Sequence, residues 1–210
     1  MSSKPAGGLA LLALAVTLTL SPDLGHPPAK AAAKAAALFK PGSRLTVGRY
    51  RYDAINAPQA VLPDGSRRTI RSLLDVKRRM TYGEYAWNDD GVPPGPLWIR
   101  VDIDAQLISV FRGEHEIGTA VILYGAKKKP TPAGVFHVLQ KAENYESHTY
   151  DAPMPYMLRL TSDGVAIHAS SVREGWATHG CIGTPPEFAE RLFAQAKLGD
   201  TVSITTRTRS

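Results

Sequence analysis

After the run Gly91-Val92-Pro93-Pro94-Gly95-Pro96 the sequence changes to a period of two. Leu97, Ile99, Val101 and Ile103 alternate with Trp98, Arg100, Asp102 and Asp104. Successive side chains of an extended chain point to opposite faces, so the alternation predicts a half-buried strand. Further apolar runs follow at 107–111 and 116–124, parted by Arg112-Gly113-Glu114. Residues 135–139, 157–160, 165–168 and 202–204 add four short candidates. Short strands separated by turn residues predict a mostly β domain over 96–207, an antiparallel β-sandwich-like arrangement. One late helix is predicted over about 185–198. Thr184-Pro185-Pro186-Glu187 reads as a capping box with proline at the first helical position. Phe188, Leu192, Phe193 and Ala196 form an apolar stripe, and Gly199 reads as the stop.

The amino terminus has another character. One lysine, an apolar run at 9–20 and a Pro/Gly-rich exit match a signal peptide or short N-terminal anchor over 1–28. The run is shorter than the ~20 residues a bilayer span needs. Export to the periplasm or cell envelope is expected, with an inner-membrane anchor as the alternative and membrane contact confined to this segment. Residues 29–95 read as an Ala/Lys-rich linker and a basic prelude that packs on the later domain. The net charge of +6 favours anionic surroundings without identifying them. No aromatic-interleaved basic motif accompanies it, so nucleic acid is not an expected partner. A single cysteine excludes an intrachain disulfide framework and any multi-cysteine zinc module. In an oxidising compartment a leftover thiol points to reactivity or to intermolecular pairing.

That cysteine has informative neighbours. His168, His179 and Cys181 fall within fourteen residues. A nucleophilic thiol needs a base or a positive charge nearby, and two histidines offer one. Gly180 lets the backbone turn sharply, so adjacent N–H groups can converge as an oxyanion hole. The N-terminal end of the late helix begins nearby and favours negative charge. On these residues alone three readings stay open: a nucleophile, an inert small hydrophobe with two polar histidines, and a thin three-ligand metal site.

Longer segments narrow the choice. L-I-S-V-F-R-G-E-H-E-I-G-T-A-V-I, K-P-T-P-A-G-V-F at 129–136, M-P-Y at 154–156, G-V-A-I-H at 164–168 and T-H-G-C-I at 178–182 occur in this order. From about 96 to 204 the chain thereby resembles the catalytic domain of the L,D-transpeptidase (YkuD-type) family of peptidoglycan enzymes. The resemblance implies a β-rich domain, a transferase of peptidoglycan stem peptides, and neither metal nor organic cofactor. By motif, Cys181 becomes the nucleophile and His168 its general base, oriented by the backbone carbonyl of Ala169. His179 becomes a structural or electrostatic partner, and Gly180 and Cys181 supply oxyanion donors. Tyr156 adds a hydroxyl or a pocket wall; Thr178 and Trp176 are further candidates for substrate binding, Trp176 as a pocket wall or simply as core. The acceptor is an amine of a second stem, or of a wall-attached protein. Hydrolysis on the same scaffold and a non-catalytic wall-binding module remain as alternatives.

Two departures accompany the resemblance. The family usually continues C-I-R, whereas this chain has Gly183; and only ten residues, 169–178, separate the two histidines. Arg173 in that stretch is the expected substitute cation for a substrate carboxylate, with a solvated loop arginine as the alternative. Lys127-Lys128-Lys129 reads as a solvated turn, and the loop 143–153, with His148 and Tyr150, as a lid or a plain loop.

Overall fold

A computed structural model describes residues 41–147 and 149–206. The apolar run at 9–20, nearly all of the Ala/Lys-rich stretch and His148 lie outside the described residues. Among the described residues no helix is long and apolar enough to cross a membrane.

The alternating segment forms the strand Leu97–Asp102, antiparallel to Leu107–Arg112, which is in turn antiparallel to His115–Val121. On the other side Thr201–Thr205 runs parallel to Leu97–Asp102, and Gly134–His137 follows it. These five belong to a nine-stranded sheet completed by Ser43–Leu45, Gly48–Arg51, Ser72–Asp75 and Glu84–Trp87. The basic prelude therefore supplies strands to the same sheet as the residues after 96. Its charges hid this: Arg44 donates to the backbone carbonyl of Trp87, and the half-buried Arg49 to those of Glu116 and Asn88.

A second sheet of four strands runs Gln140–Ala142, Met157–Arg159, Ala166–Ala169, Ile182–Thr184. Most pairings are antiparallel, but Ala166–Ala169 and Ile182–Thr184 run parallel. Ile99, Val101 and Val110 from the large sheet meet Leu158, Ile167 and Ile182 from the small one in a common core. Burying such side chains stabilises by roughly 1.5–3 kcal/mol each. The two sheets are also joined directly, because Leu123 and Gly183 exchange backbone hydrogen bonds of 2.9 and 3.0 Å.

The helix spans Pro186–Gln195, inside the expected range, with proline in its first turn and Phe188, Ala189 and Leu192 buried. The capping box does not form. Pro185 is the N-cap and offers no side-chain bond. Thr184 Oγ1 donates instead to the carbonyl of His168, and Glu187 accepts the N–H of Gly42. The helix also stops before Gly199, at Ala196, where the backbone becomes extended. Lys141 Nζ donates to the carbonyls of Phe193 and Ala196 there, satisfying groups the helix end leaves open.

Where the helix lies against the large sheet, the Trp87 and Phe188 rings meet edge to face, 5.5 Å between centroids. Gly118 makes that room. A Cβ there would fall 2.3 Å from Trp87 Cε3 and 3.2 Å from Phe188 Cε2. Trp87 is buried and has nowhere to go. Gly118→Ala is expected to cost about 1–3 kcal/mol of stability, read as a lower urea midpoint. An unchanged midpoint would contradict this packing.

Candidate active site

His168 and Cys181 are brought together by the parallel pair of strands. Ile167 lies opposite Ile182 and His168 opposite Gly183. Both isoleucines point into the core. Side chains alternate along a strand, so His168 faces the other way, as does Cys181 one step before Ile182. Cys181 accordingly packs with Met154, Met157 and Ala166 on the outer face of this small sheet. The two reactive groups are diagonal neighbours on one face.

His168 Nδ1 lies 2.8 Å from the carbonyl oxygen of Ala169. A carbonyl only accepts, so Nδ1 carries the hydrogen and a neutral imidazole has its lone pair on Nε2. Burial holds the imidazole below the ordinary histidine range, with the Ala169 bond opposing it. Cys181 is half-buried, and burial pushes its thiol up. The Ala166 amide and the Lys129 ammonium pull the thiol back down, while Asp163 adds to the rise. The thiol donates to the Gly164 carbonyl at 3.7 Å. Thiol and imidazole are thus both neutral at rest.

The turn before the cysteine is held from two sides. Thr178 Oγ1 donates to the Cys181 carbonyl at 2.5 Å, and Thr178 exchanges backbone bonds with Tyr124 and Ala126. Gly180 has φ +104°, a conformation that L side chains rarely adopt. It also lies against Gly125, where a Cβ would come within 2.2 Å of the Lys129 carbonyl and 2.8 Å of Gly180 Cα.

Cys181 opens on a cavity of about 250 Å³. Its charged and aromatic lining is Lys129, Tyr145, Tyr150, Arg159, Asp163 and His179. His179 is exposed and stacks on Tyr150, 4.6 Å between centroids at 19°. The loop 143–153 therefore contributes directly to the cavity. The other expected residues stand elsewhere. His168 and Thr178 do not line the cavity. Tyr156 is buried against Ala169, Ala189 and Phe193, at φ +57°. Arg173 is exposed with its guanidinium 5.1 Å from the Trp176 ring centroid, and neither lines the cavity. The sequence reading of Lys129 as part of a solvated turn missed its place on the cavity, and Arg159 and Asp163 were passed over; the available signal was that K-P-T-P-A-G begins with a lysine.

Comparison with known proteins identifies the family of the domain. The sequence profile of YkuD, the L,D-transpeptidase catalytic domain, matches residues 96–204. L,D-transpeptidase 1 of Mycobacterium tuberculosis is 29% identical over 133 residues, covering 55% of this chain and 53% of that protein. The chain thus spans about half the length of the curated relatives it matches. Among solved structures, an L,D-transpeptidase (Yku) from Stackebrandtia nassauensis is 21% identical with a TM-score of 0.51, over 57% of this chain and 61% of that one. An L,D-transpeptidase of Enterococcus faecium is 27% identical with a TM-score of 0.48, over 53% and 50%.

The raised thiol carries a sign for reactivity. Only the thiolate alkylates, so the rate of Cys181 alkylation by iodoacetamide should climb with pH through a midpoint above that of free cysteine. A midpoint below neutrality would show a resting thiolate and contradict the neutral pair.

Proposed function

Because the chain belongs to the YkuD family of L,D-transpeptidase catalytic domains, we propose that it is a cysteine acyltransferase of the cell envelope acting on peptidoglycan stem peptides. One observation carries this reading: Cys181 and His168 share a sheet face, with Nδ1 tied to the Ala169 carbonyl and Nε2 left as proton acceptor.

Nε2 takes the proton of Cys181 as the sulfur attacks the carbonyl carbon of the third, L-centred residue of a tetrapeptide stem. The new C–S bond gives a tetrahedral oxyanion, which the backbone N–H groups of Gly180 and Cys181 stabilise. Collapse breaks the peptide bond, and the imidazolium returns its proton to the departing amine of the terminal D-amino acid. A thioester on Cys181 remains. A neutral amine of a second stem attacks it, His168 takes the amine proton, and the sulfur leaves and recovers it. The product is a cross-link between two third residues, or an attachment when the amine belongs to a wall protein. Every proton and charge is handled by this chain's own groups, without metal or cofactor.

The neutral resting pair suits this sequence of steps. A thiolate formed only when a carbonyl is in reach is not left exposed to oxidation. The depressed imidazole keeps Nε2 unprotonated into mildly acidic solution. Thr178 holds the turn that aims Cys181, and His179 with Tyr150 forms the cavity rim. Tyr156 supports the Ala169 region from the helix side. The Arg173–Trp176 pair beside the cysteine turn is available to the more distant part of a stem.

Incubation of the full chain with a tetrapeptide stem, or with a carbapenem as acylating probe, should give a covalent adduct by intact mass. The adduct should be absent in Cys181→Ala and form about 10²–10⁴-fold more slowly in His168→Ala. A dimeric stem as product supports transfer to an amine; a shortened monomer alone would replace transfer by hydrolysis. Equal adduct in Cys181→Ala would overturn the reading.

A further inference from the structure

The acyl-transfer reading leaves open what holds the substrate's carboxylate. The family's usual cation after the cysteine is replaced by Gly183, and Arg173 points its charge at Trp176 instead of the cavity. Two cations do line the cavity, Lys129 and Arg159. Arg159 is engaged: its Nη2 donates to the Tyr145 hydroxyl at 3.2 Å, and the guanidinium lies 5.8 Å from the centroid of that ring. Lys129 differs. Its ammonium stands at the mouth, donating to the Tyr150 hydroxyl at 2.9 Å, while the Tyr150 ring stacks on His179.

That position is set by backbone. The turn carrying Lys129 and the turn carrying Cys181 touch through Gly125 and Gly180, with no room for a Cβ on Gly125. The charge also reaches the sulfur, since Lys129 draws the Cys181 thiol down and a thiolate there would favour the charged lysine in return. Asp163, on the same cavity, acts on the thiol in the opposite sense.

We infer that Lys129 is the carboxylate anchor of this site, binding a free carboxylate next to the bond that Cys181 attacks. The inference rests on the reading of Cys181 as nucleophile. The phenol of Tyr150 is a neutral acceptor, and a carboxylate is a stronger partner for an ammonium. An ammonium has three donors, so Lys129 can keep Tyr150 and take the carboxylate as well. Tyr150 and His179 act as positioning residues that park the charge over the sulfur. Asp163 repels a carboxylate from its part of the cavity and steers it toward Lys129. The class of ligand is a peptide whose terminal residue carries a free α-carboxylate; a carboxamide end is disfavoured.

Two alkylating agents of nearly equal size test this without any transferase activity. Iodoacetate and iodoacetamide both form the S–C bond as iodide leaves, but only iodoacetate brings a carboxylate. The ratio of their rates on Cys181 should exceed the ratio on a free thiol. It should fall about tenfold in Lys129→Met and be largely restored in Lys129→Arg. A change in thiol pKa acts on both reagents and cancels. With a tetrapeptide donor, Lys129→Met should raise KM for the free-acid form well beyond any change in KM for the carboxamide form. Equal ratios in wild type and Lys129→Met would overturn the anchor. A falling ratio in a chain that transfers no acyl group would keep the anchor and remove the transferase reading.

Discussion

The parallel pairing of Ala166–Ala169 with Ile182–Thr184 is the constraint on which the rest depends. It alone sets His168 and Cys181 on one face, and its register is fixed from beneath by the Ile167–Ile182 pair in the core. A slip of either strand by one residue would turn its isoleucine to solvent and put His168 and Cys181 on opposite faces, so the packing of the domain enforces the geometry of the site. The second of these strands is anchored on its far edge by Leu123, which ties it to the nine-stranded sheet. The helix packs behind the first, with Ala189 against Ala169 and Tyr156. Precision at the cysteine is thereby inherited from rigid elements on three sides.

The electrostatics follow from the same burial. Removing water from the Cys181 and His168 region disfavours both charged forms, raising one group and lowering the other. An ion pair would be costly there without a substrate to share the charge. In a neutral pair the Ala169 carbonyl chooses the imidazole tautomer, which leaves Nε2 as the acceptor on the face that Cys181 shares. The nearby Lys129 and Asp163 act on the thiol in opposite directions, so the resting state is governed by desolvation more than by any formal charge.

Much of this fold was legible in the sequence. The strands after residue 96 follow from period-two alternation, because a half-buried strand must alternate. The prelude was not legible, since arginines such as Arg44 and Arg49 sit on sheet strands with their guanidinium groups bent onto backbone carbonyls. Local composition cannot report such long-range partners. The capping box failed for a similar reason: Thr184 was recruited by the neighbouring strand, at the carbonyl of His168, before it could cap the helix. The cluster of Cys181, His168 and His179 was visible as a motif. The cavity was not, because its charges come from Lys129, Arg159 and Asp163, each in a different segment. A lysine at a turn reads as solvated unless the contact of that turn with another is known.

Gly183 makes that contact-level view necessary. A Cβ at this position would lie 2.9 Å from Ser170 Cβ and 3.2 Å from Ser170 Oγ, and 3.5 Å from Leu123 Cβ. The space a longer side chain would take is already occupied by the residue that follows the His168 strand. Residues 170 and 183 are therefore one packing decision, and an arginine at 183 would need a smaller neighbour at 170 and a displaced Leu123. With that route closed by sterics, the opposite side of the Cys181 turn offers a positive charge another approach. That side is where the Gly125–Gly180 contact brings Lys129. The departure at 183 and the cation at 129 are two consequences of how tightly this chain packs around one strand.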